Sequence, residues 1–329
     1  MQTRSLGQTG LELTTVGLGT WAIGGGQWQY GWGSQDTREA VAAIERAVDL
    51  GINWIDTAAV YGDGQSERLV GDALRHIDPA RCPLIATKCG RVFDARRKVI
   101  GKLKADSIEA ECEASLRRLG RDTIDLYQMH WPDPDSDIEE GWQAMVDLVD
   151  AGKVRQIGVS NFNVAQLQRI QPIYPVASLQ PPYNMLVRGV EGELLDYCAA
   201  CKIGVVAYSP MGKGLLTGAI TVARAGALGG DDHRSRDPRF QEPQLGAHLQ
   251  LVDGLRAVAA RRGCNLAQLA IAWVLRRPEV TSAIVGARRP EQIEQTAQAG
   301  DLTLDQRDLE LVDGLLLQHT AALAELRSA

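Results

Sequence analysis

The stretch Asp125-Leu126-Tyr127-Gln128-Met129-His130 is a short apolar run that ends in a polar residue, and the amphipathic segment 138–151 follows it. The same alternation recurs along the chain and is typical of repeated βα units with a parallel sheet. The apolar runs predict eight strands, at Val16–Leu18, Trp54–Asp56, Leu84–Lys88, Thr123–Met129, Val154–Ser160, Ser178–Gln180, Gly204–Tyr208 and Ser282–Val285. The amphipathic stretches predict helices at Arg38–Leu50, Ser66–Leu74, Ala105–Leu119, Ile138–Ala151, Val164–Ile170, Gly192–Ala200, Leu249–Arg262, Asn265–Arg276, Pro290–Ala297 and Leu304–Leu326.

Eight strands that alternate with helices predict one α/β domain over residues 1–329, a (β/α)8 TIM barrel with extra C-terminal helices. The segments Thr3–Leu6 and Leu11–Leu13 predict an N-terminal hairpin that closes the end of the barrel opposite the catalytic face. Thr217–Gln244 predicts a long irregular loop at the catalytic face, and loops of this length are usually functional. A doubly wound parallel sheet fits the same alternation and stays open at this point.

The composition is that of a globular protein. Of 329 residues, 45% are hydrophobic and 23% are charged, which excludes disorder and a coiled coil. The net charge of −6 argues against a basic surface that would bind nucleic acid or an anionic membrane. Since the chain has neither a long apolar run nor the apolar stretch of a signal peptide, we expect a cytoplasmic monomer whose partner is a small molecule.

The cysteines and histidines predict neither a disulfide framework nor a metal site. Six cysteines are too sparse in a chain of this length for a disulfide scaffold, so we expect free thiols. Cys198 and Cys201 form one CxxC, but it lies in a predicted helix and has no second pair to complete a zinc site. The five histidines form neither HxH nor HExxH, which argues against a metal-dependent barrel hydrolase.

Four polar residues lie at or just beyond the carboxyl ends of the second, third and fourth predicted strands: Asp56, Tyr61, Lys88 and His130. In a barrel these ends meet at one mouth. A buried Asp56 and Lys88 must pair, and on the simplest interpretation they only brace the barrel. The functional alternative adds Tyr61, because an ammonium that stabilises phenolate would lower the pKa of the phenol and make it a proton donor near neutral pH. His130 then suits a hydrogen-bond partner that orients a carbonyl oxygen.

Together with these residues, four motifs resemble the aldo-keto reductases over essentially the whole chain: Gly158-Val159-Ser160-Asn161-Phe162, Leu179-Gln180-Pro181-Pro182-Tyr183-Asn184, Tyr208-Ser209-Pro210 and Val285-Gly286-Ala287-Arg288. The stretches Gly19–Gly25 and His130–Pro134 look closest to the bacterial general-stress-protein branch. The resemblance implies NADPH-dependent reduction of aldehydes or ketones to alcohols, by hydride transfer from the nicotinamide, on a barrel with no Rossmann domain.

The resemblance also implies a role for each matching residue. Tyr61 would be the proton donor, Lys88 would lower its pKa, Asp56 would pair with Lys88, and His130 would orient the substrate carbonyl. The residues implied around the nicotinamide are Thr20, Trp21, Asp56, Ser160, Asn161, Gln180 and Tyr208. Those implied for the substrate pocket are Trp21 and Trp131. Trp28, Tyr30 and Trp32 are further aromatic residues in the predicted loops, and each either lines the pocket for apolar carbonyls or packs the loops.

The phosphates of the cofactor would lie after the seventh and eighth strands. The residues expected along the pyrophosphate are Ser209, Pro210, Met211, Gly212, Lys213 and Gly214, with Arg234 as a clamp. Those expected around the adenosine end are Gly286, Ala287, Arg288, Gln292, Gln295 and Thr296. Pro290 opens a helix there, and Arg288 offers a planar fork suited to a 2′-phosphate. Relatives often carry Glu and Asn in place of Gln295 and Thr296, and lysine in place of Ala219.

Three alternatives stay open from the sequence. Gly17-Leu18-Gly19-Thr20-Trp21-Ala22 is a near match to the dinucleotide fingerprint GxGxxG, but a loop rather than a helix follows it. An NADP-dependent polyol or alcohol dehydrogenase would use the same residues in the oxidative direction. A nucleotide-sensing accessory protein would keep the fold, although it would not need a proton donor.

Overall fold

The computed structural model of the protein describes residues 1–328, and Ala329, the last residue of the predicted domain, lies outside the described residues. The strands are β1 (Thr3–Ser5), β2 (Glu12–Thr14), β3 (Val16–Gly19), β4 (Trp54–Asp56), β5 (Leu84–Cys89), β6 (Arg91–Phe93), β7 (Val99–Gly101), β8 (Ile124–Met129), β9 (Val154–Ser160), β10 (Ser178–Gln180), β11 (Gly204–Tyr208) and β12 (Val280–Gly286). The helices are α1 (Thr37–Asp49), α2 (Gln65–Leu74), α3 (Ala105–Leu119), α4 (Ile138–Asp150), α5 (Val164–Ile170), α6 (Glu193–Ala200), α7 (Val222–Gly226), α8 (Gln244–Arg262), α9 (Leu266–Leu275), α10 (Pro290–Ala297) and α11 (Gln306–Ser328).

Eight of the strands form a closed parallel barrel in the order β10-β11-β12-β3-β4-β5-β8-β9. The predicted TIM barrel is therefore confirmed, and closure excludes the doubly wound sheet. Each predicted barrel strand is present, with its ends within two residues of the prediction. No helix in the described part of the chain is long and apolar enough to cross a membrane.

The inward-facing side chains of β4, β5 and β8 change from apolar to polar along the strand. Alternate residues of a strand point to the same side, so Trp54 and Asp56 share the interior, as do Ala86 and Lys88. The parallel register sets Asp56 beside Ala86 on β5 and Lys88 beside Gln128 on β8. The polar residues are consequently gathered at the carboxyl ends of the strands, which is the mouth of the barrel.

The opposite end of the barrel is closed by the hairpin of β1 and β2, as predicted. Leu6 and Leu13 are buried there with the apolar side chains of the barrel interior, among them Trp54, Leu126 and Ile284. Because this end is sealed by apolar contacts, the mouth is the side of the barrel that a ligand can enter.

The prediction from the sequence lacks one hairpin and begins one helix too late. β6 and β7 form an antiparallel hairpin beside the mouth, and their half-exposed residues show no clear hydrophobic alternation. Helix α8 begins at Gln244 rather than at Leu249, and its first turns bury Leu245, Ala247 and His248. The long segment before α8 contains the short helix α7 and two 3-10 turns, so it is less irregular than predicted.

Candidate active site

A buried ion pair lies at the centre of the barrel mouth. The Lys88 ammonium on β5 is 2.6 Å from Oδ1 of Asp56 on β4, and neither side chain is more than 4% exposed. Lys88 Nζ also donates to the carbonyl oxygen of Thr57 at 2.9 Å. Burial is the largest effect on Lys88 and lowers the pKa of its ammonium, while the Asp56 carboxylate opposes that shift. The pair predicted from the sequence is therefore present.

The phenol of Tyr61 completes this group. Its Oη accepts a hydrogen bond from Lys88 Nζ at 3.3 Å, and the residue is buried against Trp21 and Trp28. Because Lys88 donates to the phenol oxygen, the hydroxyl hydrogen of Tyr61 is free to be donated elsewhere.

The expected net lowering of the Tyr61 pKa is not seen, although Lys88 contacts the phenol oxygen. Burial, and then the negative charge of Asp56, raise the pKa of Tyr61 well above 10. The reason is that the ammonium is already matched by the carboxylate it contacts, whereas desolvation of a phenolate is not offset. Tyr61 therefore keeps its proton throughout the neutral range.

His130 follows β8 and lies beside Tyr61, with ring centroids 5.7 Å apart in an edge-to-face arrangement. Burial, together with the nearby charges of Lys88 and Arg91, lowers the pKa of His130 well below 6.5. Its imidazole is consequently neutral at pH 7, and a neutral imidazole still has one N–H to donate.

Two buried amides fix the second oxygen of Asp56. Gln180 Nε2 donates to Asp56 Oδ2 at 2.8 Å, and Gln128 Nε2 approaches the same atom at 3.4 Å. Gln180 Nε2 also donates to Gln128 Oε1 at 3.2 Å. Gln128 was not predicted as a site residue, although its position between Leu126 and His130 on the inward face of β8 was a usable signal. Both N–H groups of Gln180 are thus engaged within the barrel.

The amide of Asn161 connects the carboxyl ends of β8, β9 and β11 at the mouth. Asn161 Nδ2 donates to His130 O and to Ser160 Oγ, each at 3.0 Å, and its Oδ1 accepts from the Tyr208 hydroxyl at 2.9 Å. Ser160 is buried and donates to Gln180 O at 2.7 Å. Burial raises the pKa of Tyr208 to about 12. The structure therefore brings Asn161, Tyr208 and Ser160 together beside His130.

An aromatic cluster covers one side of the mouth. Trp21 stacks on His233, with ring centroids 4.8 Å apart, and meets Trp32 edge-on at 5.3 Å. His233 was not predicted, and burial lowers its pKa to about 4. Thr20, by contrast, is 1% exposed, and its hydroxyl donates to Asp56 O at 2.9 Å, so its side chain faces the protein and not the mouth.

Trp131, in the loop after β8, is 41% exposed. The Arg91 guanidinium lies 5.6 Å from its ring centroid and pairs with Asp133 at 2.7 Å. Trp21 thus contacts the Tyr61 ring, and Trp131 follows His130 in the chain with an exposed ring.

The loop after β11 has an unusual backbone. Ser209, Gly212, Lys213 and Gly214 all have positive φ, between 54° and 98°. These left-handed residues let the chain turn tightly, and the N–H groups of Gly212 and Gly214 donate to Ser209 O and Met211 O within the turn. The other N–H groups of the loop are the ones that could face an anion. Pro210 and Met211 lie within the same turn, and Lys213 Nζ is 3.2 Å from Asp237.

The two arginines near the cofactor loops differ in their partners. Arg234 makes a bidentate pair with Asp232, with NH2 to Oδ2 at 2.6 Å and Nε to Oδ1 at 3.0 Å, and it lies over the Trp32 ring. Arg288, which is about half buried, donates instead to neutral oxygens of Trp32, Ser34 and Gln35. Burial, and then the positive charge of Arg234, lower the pKa of Arg288. The charge of Arg234 is matched, and that of Arg288 is not.

Helix α10 begins beside Arg288. Gln292 Oε1 accepts from the Arg288 backbone N–H at 2.7 Å, Gln295 is exposed, and Gly286 at the end of β12 is exposed and meets no side chain. Thr296 is 5% exposed, and its hydroxyl donates to the Gln292 carbonyl oxygen at 3.0 Å. Thr296 therefore faces the protein interior rather than the surface where the other expected adenosine contacts lie. Ala287 is likewise buried.

The sequence and the fold were compared with known proteins. The family model described as the aldo/keto reductase family matches residues 15–317. The chain belongs to the aldo/keto reductase family. The expected resemblance is thereby confirmed, and the family is one of oxidoreductases that use a nicotinamide cofactor.

Individual relatives cover nearly the full chain. Aldo-keto reductase YhdN of Bacillus subtilis (strain 168) is 39% identical over 317 residues, which span 96% of this chain and 94% of that protein. The NADH-specific methylglyoxal reductase of Escherichia coli (strain K12) is 35% identical over 93% of this chain and 96% of that protein. The solved structure of the glycerol dehydrogenase AKR11B4 from Gluconobacter oxydans has a TM-score of 0.86 at 38% identity, covering 96% of this chain and 95% of that chain.

The geometry predicts how Tyr61 titrates. Since burial and Asp56 hold its proton, the phenolate absorbance of Tyr61 should develop only above pH 10. The measurement is a spectrophotometric pH titration of the protein and of Tyr61→Phe, whose difference isolates this residue from the other six tyrosines. A difference signal that develops below pH 9 would show that the effect of Lys88 on the pKa of Tyr61 outweighs the effect of burial.

Proposed function

We propose that this protein reduces aldehydes or ketones to alcohols with NADP(H), with Tyr61 donating the proton to the carbonyl oxygen. The observation that carries the proposal is the position of Tyr61 Oη, which is 3.3 Å from the buried Lys88 ammonium and beside the neutral imidazole of His130. A buried phenol with one side of its oxygen occupied by an ammonium has its own hydrogen available for a ligand in the mouth.

The bound cofactor supplies the hydride, and the protein supplies the proton and holds the substrate. Burial keeps Tyr61 protonated before the reaction. As the phenol gives up its proton, the Lys88 ammonium that already contacts Oη stabilises the phenolate that remains. Asp56 holds the ammonium at that place. General acid catalysis of this kind contributes roughly 10²–10⁴-fold to a rate.

His130 is proposed to orient the carbonyl oxygen. Its pKa is lowered well below 6.5, so the ring donates a hydrogen bond as neutral imidazole and carries no charge that would compete with Lys88. The ring lies edge-on to Tyr61, and a carbonyl oxygen between them can accept from both. Trp21 and Trp131 would bound the rest of the pocket and favour apolar carbonyl compounds.

The residues at the mouth fit a dinucleotide phosphate cofactor. Arg288 is a half-buried cation whose acceptors are all neutral oxygens, which suits an added anion such as a 2′-phosphate. The positive-φ loop from Ser209 to Gly214 suits a pyrophosphate. The residues that would hold the nicotinamide are Asn161, Gln180 through its Oε1, and Tyr208. The methylglyoxal reductase relative is named as NADH-specific, so the family alone does not determine the choice between NADPH and NADH.

Oxidation of an alcohol or polyol is the second candidate. The structural relative from Gluconobacter oxydans is titled a glycerol dehydrogenase, and the same residues can take a proton in that direction. We further propose that the protein is a monomer and that it is cytoplasmic. The free state of all six cysteines supports the second point, since reduced thiols suit the cytoplasm.

Tyr61→Phe removes the proposed proton donor and should abolish carbonyl reduction. NADPH binding should stay nearly unchanged, because the phenol acts on the substrate oxygen. Stopped-flow turnover with a reactive aldehyde and a fluorescence titration with NADPH measure the two properties. Residual activity within tenfold of the parent would place the donor elsewhere, with His130 the next candidate. A nucleotide-sensing protein would keep its biological effect in this variant.

Arg288→Ala should weaken NADPH binding far more than NADH binding, because only NADPH carries the 2′-phosphate. A charge-assisted hydrogen bond is worth about 1.5–3 kcal/mol, or roughly 10–150-fold in affinity. Fluorescence titrations with both cofactors give the two dissociation constants. An equal loss for both cofactors would reject Arg288 as the 2′-phosphate contact.

A further inference from the structure

Gln35 and Arg288 form a reciprocal pair between the loops that follow two neighbouring barrel strands. Gln35 lies in the loop between β3 and α1, whereas Arg288 follows β12. Arg288 Nε donates to Gln35 Oε1 at 2.7 Å, and Gln35 Nε2 donates back to the Arg288 carbonyl oxygen at 3.1 Å. We propose that Gln35 is a positioning residue that orients the Arg288 guanidinium and thereby sets the preference for NADPH over NADH. This inference rests on the proposed function.

The loop around Gln35 holds the whole guanidinium plane. Besides the bond from Nε to Gln35, NH1 donates to Trp32 O at 3.0 Å and NH2 donates to Ser34 O. A guanidinium has five N–H groups, one on Nε and two on each of NH1 and NH2. These three bonds use one N–H on each nitrogen, so one N–H on NH1 and one on NH2 have no acceptor within residues 1–328. Three fixed bonds leave the fork in one orientation with two donors for a ligand.

The charges around Arg288 favour an anion as that ligand. The charges that act on Arg288 are the cations of Arg234 and Arg289, which lower its pKa, and the carboxylates of Asp232 and Glu39, which raise it. Asp232 is already the bidentate partner of Arg234, at 2.6 and 3.0 Å. Arg288 is therefore left with a positive charge that neutral oxygens only solvate, and a phosphate would be its first close counter-ion.

The loop can hold Arg288 because it is itself anchored. Gly33 N donates to Asp231 O at 3.2 Å, and Gln35 Nε2 donates to Asp36 O at 2.8 Å. The Asp36 carboxylate caps α1 by accepting from the backbone N–H groups of residues 38 and 39. An arginine fixed before the ligand arrives loses less conformational freedom on binding, which raises affinity without any new contact.

The test is a double-mutant cycle on cofactor binding. Gln35→Met keeps the length of the side chain but removes both hydrogen-bonding groups, and Gln35→Asn withdraws the amide by one methylene. We expect each to raise the Kd for NADPH roughly 5–20-fold, which is less than the loss of a full charge-assisted hydrogen bond because Arg288 itself remains, and to raise the Kd for NADH less than twofold. In an Arg288→Ala background, Gln35→Met should cause no further loss, because Gln35 acts through Arg288.

The controls separate failure of this inference from failure of the proposed function. Gln29→Met changes another glutamine of the same loop, whose side chain donates to Tyr30, and should leave both Kd values unchanged. If Arg288→Ala weakens NADPH binding more than NADH binding but the Gln35 variants do not, Gln35 does not position Arg288. The same conclusion follows if the effects of the two substitutions on the free energy of NADPH binding are additive. If Arg288→Ala itself weakens both cofactors equally, the proposed preference for NADP(H) is wrong.

Discussion

The ion pair between Lys88 and Asp56 is the interaction on which the site depends. Taking two charges out of water costs several kcal/mol for each ion, so the pair is stable only if its other hydrogen-bonding positions are filled. The barrel fills them with Thr57 O at 2.9 Å from the ammonium and Gln180 Nε2 at 2.8 Å from the carboxylate. These groups come from different strands, so barrel closure is what brings them together.

The same mouth holds two electrostatic environments. Around Tyr61 the Lys88 ammonium is matched by Asp56, His130 is neutral, and burial raises the pKa of the phenol. Near β11 and β12, Arg288 donates its hydrogen bonds to neutral oxygens, and the positive charge of Arg234 acts on it. The inner part therefore suits the transfer of a proton to a neutral carbonyl group, and the outer part suits a bound phosphate.

The barrel and the main site residues could be predicted because local patterns determine them. Apolar strands ending in Asp56 and Lys88 give both the fold and the charged positions, and the ion pair is the direct consequence of burying two opposite charges. The direction of the pKa shift of Tyr61 could not be predicted. It depends on whether desolvation, which raises the pKa of the phenol, outweighs the Lys88 ammonium, whose charge is already paired with Asp56. Gln35 and His233 could not be found either, since their roles arise from contacts between loops more than 190 residues apart in sequence.

The most direct test of this account is Lys88→Met, with turnover measured per folded molecule and folding followed by circular dichroism. If Lys88 stabilises the phenolate of Tyr61, the folded variant should lose carbonyl reduction by roughly 10²–10⁴-fold at neutral pH. If Lys88 only braces the barrel, activity should fall no further than the folded fraction does. A well-folded Lys88→Met protein with near-parental turnover would contradict the account.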